Sequence, residues 1–257
     1  MAGDTAVDAV FFDLYGTLLV YGDMSAAWAE WLDTLHRCLQ ACGVETERES
    51  LASMCDGFFS RPEPDEHEKG STVYERRIAD LCDVIGFDAT PAQLRMLADE
   101  SADSWQRHVP LDPAAPSVLA ELTLELPVVL VSNFDHPPHV HHVLEREAIA
   151  EYFTEVVISA EAGVKKPDPL IFAGPLDRLA LQPRRVVYVG DAPEDVAAAI
   201  AAGVRPVLVR RDTAYTAAEA SDFRADRAPS TDARDAEGIP TVTSLPQLLR
   251  RLWEGSI

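Results

Sequence analysis

Short apolar runs rich in valine recur along the chain at residues 9–12, 127–131, 155–158, 185–189 and 206–209, with Thr241-Val242 as a late edge. Their apolar positions are consecutive rather than alternate, so each run needs cover on both faces, as in a parallel sheet with helices above and below. The stretches between them carry helix signals. Asp168-Pro169 and Ser244-Leu245-Pro246 each offer a capping oxygen followed by an early proline, and residues 197–202 lead into a stop at Gly203. The pattern predicts an α/β fold with a Rossmann-like parallel sheet.

More than a hundred residues separate the first two runs, against the roughly 10 to 15 of an ordinary crossover helix. A second unit is therefore expected as an insertion, a helical cap over residues 20–109, leaving 1–19 and 110–257 as the core. Within it Trp28, Trp31, Leu32, Leu35, Cys38 and Leu39 repeat at spacings of three and four before Gly43, which predicts a helix from about Ser25 to Cys42. Two more are expected over 72–85, before Gly86, and from Thr90-Pro91 to about Arg107. Trp28 and Trp31 read as core rather than as pocket lining. The polar run 61–70 predicts a loop, and the Ala/Asp/Arg-rich stretch 211–238 a mobile excursion before the last strand.

Composition narrows the partners. A chain of 257 residues that is 47% hydrophobic can bury a full core. A formal net charge of -21 argues against nucleic acid and anionic membranes, which need a cationic footprint. No run approaches the ~18 to 20 apolar residues of a membrane span, and Met1-Ala2-Gly3-Asp4 lacks the basic start of a signal peptide. The expectation is a soluble, cytoplasmic protein. Cys38, Cys42, Cys55 and Cys82 form no CxxC pair and read as reduced and mostly buried. The basic residues include only three lysines, Lys69, Lys165 and Lys166. That bias fits a high-salt surface and a GC-rich genome equally. In either case a small anionic substrate must be caught by local groups.

Four stretches supply such groups at strand ends, the edge where ligands bind in open α/β sheets. Phe11-Phe12 runs into Asp13 and then Gly16-Thr17; residues 128–131 run into Ser132-Asn133; Gly163 to Pro169 holds Lys165 and Lys166; residues 186–189 run into Gly190-Asp191, with Asp195 one helical turn on. Asp13 is a carboxylate nucleophile able to split a hydrolysis into two displacements. Thr17 and Ser132 can hold anionic oxygens, a lysine can neutralise charge, and Asp191 with Asp195 suits a hard octahedral cation. His136, His139, His141 and His142 cluster after the second stretch, and His139 with His142 would share a helical face. That cluster reads as a polar helix start before it reads as a metal site.

With these four stretches in this order, the chain resembles the haloacid dehalogenase (HAD) superfamily of hydrolases over about 170 residues, and the insertion resembles that family's helical type-one cap. The resemblance selects Lys166 of the two lysines through its Gly-x-x-Lys-Pro-x-Pro pattern. It implies a Mg2+ ion held by Asp13, the Tyr15 carbonyl, Asp191 and Asp195, with Thr17, Ser132, Asn133 and Lys166 on the substrate's phosphate. Asp13 and Lys166 would be catalytic.

Tyr15 departs from the family's phosphatases, which usually carry a second Asp there as acid and base. Losing a positioned acid costs on the order of 10²- to 10⁴-fold. The family's dehalogenases do carry tyrosine at this place, because halide needs no proton to leave. They work without metal and have a Ser/Asn-rich fourth stretch, whereas this chain keeps Asp191 and Asp195. Their cap motif with a substrate-binding arginine is not recognisable, although Arg37 and Arg48 are candidates to reach inward. The sequence favours a magnesium-dependent phosphatase of a small phosphorylated metabolite. A 2-haloacid dehalogenase and a degenerate fold kept as a binding module are the alternatives.

Overall fold

The computed structural model describes residues 6–65, 70–211 and 238–257. Its strands are Ala9–Phe12 (β1), Val128–Ser132 (β2), Glu155–Ile158 (β3), Val186–Gly190 (β4), Arg205–Val209 (β5) and Thr241–Val242 (β6). All pair in parallel, in the order β3-β2-β1-β4-β5-β6. The α/β, Rossmann-like sheet expected from the valine runs is therefore present. The chain winds outward from β1 to β3 and then returns to the other side of β1. This puts the topological switch point at the carboxyl ends of β1 and β4, where a crevice opens in such sheets.

Side chains alternate across a strand, and here both faces are buried. Val10, Phe12, Leu130 and Val189 join one hydrophobic cluster, while Phe11, Val129, Val131 and Tyr188 join the other, against Phe172 and Ala198. Registers such as Val10 opposite Val128 and Val187 opposite Val10 keep like faces together.

Four of the described helices between β1 and β2 fall within residues 20–109: Met24–Ala41 (α1), Arg48–Cys55 (α2), Val73–Ile85 (α3) and Pro91–Gln106 (α4). Local chemistry sets their starts. The Asp23 carboxylate accepts from Ala26 N at 3.0 Å, Thr72 Oγ1 accepts from Glu75 N at 3.1 Å, and Thr90 with Gln93 forms a capping box. α1 lies along α4, and α3 packs on α4. Trp31 is buried in the same cluster as the β1 face, with Trp28 packed against it. Arg37 and Arg48 do not reach inward: both lie on the outer surface, where Arg48 pairs with Asp33.

Ala115–Leu122 (α5), Pro137–Arg146 (α6), Ser159–Ala162 (α7), Ala173–Arg178 (α8), Pro193–Ala202 (α9) and Leu245–Trp253 (α10) complete the described helices. β1, β3 and β6 have the bounds expected, and the ends of β2, β4 and β5 differ by one residue. The helix expected at Asp168 begins instead as a 3-10 turn, Pro169–Phe172, whose first N–H, that of Leu170, donates to the Asp168 side chain. α9 ends where Gly203 adopts φ +74, a left-handed stop. Residues 61–65 form no regular element; 66–69, and the expected excursion except for its end residues Arg211 and Gly238, lie outside the described residues. None of the four cysteines is in a disulfide, and Cys38, Cys55 and Cys82 are buried. No described helix is long and apolar enough to cross a membrane.

Candidate active site

β1 delivers Asp13 to the switch point, its amide still bonded to Val189 O at 2.8 Å. The chain then turns sharply, with Leu18 N and Leu19 N donating to Leu14 O and Gly16 N to Leu19 O. Gly16 has φ +88, and a Cβ there would stand 2.1 Å from Asp191 Oδ2. Only glycine lets the turn after β1 close onto the turn after β4. Gly190 has the same task for Asp195, since its Cβ would lie 2.4 Å from Asp195 Oδ2.

Lys166 sits buried at the centre. Its Nζ donates to Asp13 Oδ1 at 2.6 Å and Asp195 Oδ1 at 2.7 Å, with Tyr188 Oη at 2.8 Å and Val131 O at 3.2 Å competing for the third proton. Lys165 instead points to solvent and pairs with Glu63. Asp195 is saturated. Beyond Lys166 and Tyr188 on Oδ1, its Oδ2 accepts from Asp191 N at 3.1 Å and Ala192 N at 2.9 Å. Asn133 also serves Lys166: Nδ2 donates to its carbonyl and Oδ1 accepts from its amide, both at 2.9 Å.

Thr17 Oγ1 and Ser132 Oγ differ from these groups. Both residues are buried, and neither hydroxyl has a hydrogen-bond partner among the described residues. Buried polar atoms without partners are rare and mark places where a ligand completes the set. Thr17 lies in the turn that follows Asp13, and Ser132 closes β2, the strand paired with β1.

Carboxylate oxygens of Asp13, Asp191 and Asp195 lie within 4.8 Å of one another. With Asp195 fully bonded and Asp13 Oδ1 held by Lys166, the open donors are Asp13 Oδ2 and Asp191. The Tyr15 carbonyl takes no part in the hydrogen bonds of its own turn. An all-oxygen set with few protein ligands fits magnesium, which keeps several waters. Electrostatics agree. Burial pushes the Asp13 carboxyl up to about 6, against the opposing pull of Lys166. Burial, with Asp13 and Asp195 beside it, holds Asp191 well above the usual carboxylate range. Burial alone would lower the Lys166 ammonium, but Asp13 and Asp195 outweigh it and raise it. Two crowded carboxylates that resist ionising together provide a place for a divalent cation.

The Tyr15 side chain points elsewhere. Its hydroxyl donates to Gln106 Oε1 at 3.2 Å, and its ring stacks on Phe134 at 4.8 Å and meets Trp105 at 5.5 Å. Burial raises the phenol far above its ordinary value, so it stays protonated. His139 Nε2 shares Gln106 Oε1 at 3.2 Å, and its Nδ1 lies 3.2 Å from Asp103. His136 bridges Thr72 Oγ1 and Asp99 Oδ1, at 3.0 and 2.8 Å. The expected histidine cluster thus divides: His136 and His139 tie α6 to α3 and α4, while His141 and His142 are exposed. Arg77 adds a buried tie, Nε donating to Asp135 Oδ2 at 2.8 Å.

Sequence reading did not single out Tyr188, Gln106 or Arg77. Tyr188 carried a signal, a lone polar tip inside an apolar strand. The partners of Gln106 and Arg77 are far apart in sequence and left none.

Comparison with known proteins agrees with the fold. A model of haloacid dehalogenase-like hydrolases matches residues 7–203. The chain belongs to this family. It is 28% identical over 212 residues to N-acylneuraminate-9-phosphatase of Rattus norvegicus, covering 80% of this chain and 83% of that one. It is 31% identical over 202 residues to phosphoglycolate phosphatase of Yersinia pseudotuberculosis, covering 77% and 78%. Among solved structures, 2-haloacid dehalogenase from Pseudomonas syringae superposes with a TM-score of 0.64 at 23% identity, covering 96% and 99%. The protein is a hydrolase of the HAD superfamily.

Proposed function

We propose that this hydrolase is a magnesium-dependent phosphatase of a small phosphorylated metabolite, working through a phospho-Asp13 intermediate in the cytoplasm. The observation that carries the reading is the pair of unpartnered buried hydroxyls, Thr17 Oγ1 and Ser132 Oγ, beside a carboxylate held by Lys166. Two hydroxyl donors and a cation around Asp13 suit a tetrahedral anion with several oxygens better than a halide. The relatives of similar length named above are phosphatases, which supports the same choice.

Lys166 holds the Asp13 carboxylate in place, so that one of its oxygens attacks phosphorus while the other remains for the cation. The ester oxygen departs as the Asp13–phosphate bond forms. Water then attacks the phosphorus, releasing inorganic phosphate and restoring the carboxylate. Thr17 and Ser132 hold the non-bridging oxygens through both steps. Asp195, Tyr188 and Asn133 position Lys166. Asp13, Asp191 and the Tyr15 carbonyl would hold Mg2+, which supplies charge neutralisation on the transferring group when bound. Residues 20–109 act as the cap that shapes the substrate pocket.

One observation favours the second reading. Tyr15, directed to Gln106, gives the leaving group no acid, and a 2-haloacid dehalogenase would need none. A panel of phosphate esters and 2-haloacids, assayed with and without magnesium, separates the two. Phosphate release dependent on magnesium is expected; halide release unaffected by chelator would replace this reading with the dehalogenase one.

A further inference from the structure

Two residues beyond β5, at the same carboxyl edge as Asp13, stands Arg211. Its main chain is anchored through Arg210 N, which donates to Val242 O at 2.8 Å. Its Nη2 donates to the Thr17 carbonyl at 2.7 Å and to Asp112 Oδ2 at 2.5 Å. Asp112 is tied to the same turn, its amide donating to Leu18 O at 2.8 Å and its Oδ1 accepting from Ala114 N at 2.8 Å. Arginine and aspartate thus grip adjacent carbonyls of the turn that carries Thr17.

Arg211 Nη1 is buried and has no hydrogen-bond partner among the described residues. The side chain is only 11% exposed. Asp191 lies close enough to act on its charge, beside the nearer Asp112. A planar guanidinium with one edge fixed and one nitrogen open is prepared for an oxyanion.

Charge gives the reason for a second cation. Lys166 is committed to Asp13 and Asp195, and Asp191 adds another carboxylate to the crevice. A phosphate arriving here meets these acids in a protein of net charge -21. One magnesium ion together with Lys166 leaves little positive charge over for the anion's outer oxygens. Arg211 supplies it at the residue whose hydroxyl also awaits a ligand.

We propose that Arg211 is a further substrate-binding residue, Nη2 fixing the Thr17 turn while Nη1 donates to an oxygen of the bound phosphate. The proposal rests on the phosphatase reading. Its test is the affinity of the intact chain for inorganic phosphate with magnesium, measured by calorimetry in wild type, Arg211→Gln, Arg211→Lys and Asp112→Asn. Thermal melts confirm that each variant is folded. A hydrogen bond to a charged group implies that Arg211→Gln weakens phosphate binding by about tenfold or more. Arg211→Lys, which keeps charge but loses the second nitrogen, should fall between, and it decides the matter if the glutamine variant does not fold. Asp112→Asn keeps the guanidinium and should bind within about threefold of wild type, or tighter. Equal losses in Arg211→Gln and Asp112→Asn would reduce the pair to a brace for the turn and overturn the proposal, as would an unchanged affinity in Arg211→Gln. A folded wild type that binds magnesium but no phosphate would instead overturn the phosphatase reading, and this proposal with it.

Discussion

Asn133 and Lys166 are paired through one side chain and one main chain: the Asn133 amide meets both the N–H and the C=O of Lys166 at 2.9 Å. The loop after β2 thereby fixes the height at which the Lys166 ammonium enters the site. Asn133→Ala should leave the fold intact, since the residue is itself exposed. It should lower kcat/KM for a phosphate ester by up to about 10²-fold, the scale of loss from misplacing a reacting group by an ångström. Unchanged kinetics in this variant would show that Lys166 is held well enough by Asp13 and Asp195 alone.

Gly16→Ala tests the approach of the two catalytic turns. The new methyl would meet Asp191 Oδ2 at 2.1 Å on a backbone with φ +88. A side chain there is strained whatever the space, and stability should fall by more than the ~1 kcal/mol typical of a tolerated glycine change. Magnesium affinity should fall as well, because Asp191 must move. A variant with wild-type metal affinity by calorimetry would show that Asp191 is not a ligand.

Tyr15 makes opposite predictions for two substitutions and two substrates. Tyr15→Phe removes only the hydrogen bond to Gln106, costing about 1 kcal/mol of stability while leaving turnover within a few fold. The phenol's orientation also implies that no acid assists departure, so an aryl or acyl phosphate should be hydrolysed much faster than an alkyl phosphate. Tyr15→Asp should narrow that gap by raising the alkyl rate. Equal wild-type rates on both esters would mean that another residue supplies the proton.

The acid pair links stability to pH. The folded, metal-free protein holds a proton on Asp13 up to about pH 6, where an unfolded carboxyl would have released it. That contribution is complete below the unfolded value and is lost as pH rises through the folded one. Melting temperature without metal should therefore fall between about pH 4 and pH 7, and less steeply in Asp13→Asn. Magnesium, which replaces the proton, should stabilise more at the upper end. A slope identical in wild type and variant would place the titration elsewhere.

Much of this was legible in the sequence because it depends on local pattern. Short apolar runs mark the strands to within a residue, and Thr72, Thr90 and Ser244 mark helix starts that the structure keeps. Lys166 was separable from Lys165 only through the family pattern; burial now separates them physically. α2 was missed because it buries only Leu51 and Cys55, too little for a stripe. α5 buries Ala115, Val118, Leu119 and Leu122, but eight residues give too short a stripe, and no element is expected there from the sequence. What no local pattern carries is saturation. That Asp195 has no free oxygen, that Asn133 faces Lys166, and that Tyr15 turns to Gln106 all depend on partners brought together by the fold.

The most direct test is phosphate release from an aryl phosphate with magnesium present, compared between wild type and Asp13→Asn. The account predicts magnesium-dependent release by the wild type and a loss of about a thousandfold or more in the variant, since a nucleophile has no substitute. A folded Asp13→Asn protein retaining even about a tenth of wild-type turnover would contradict it.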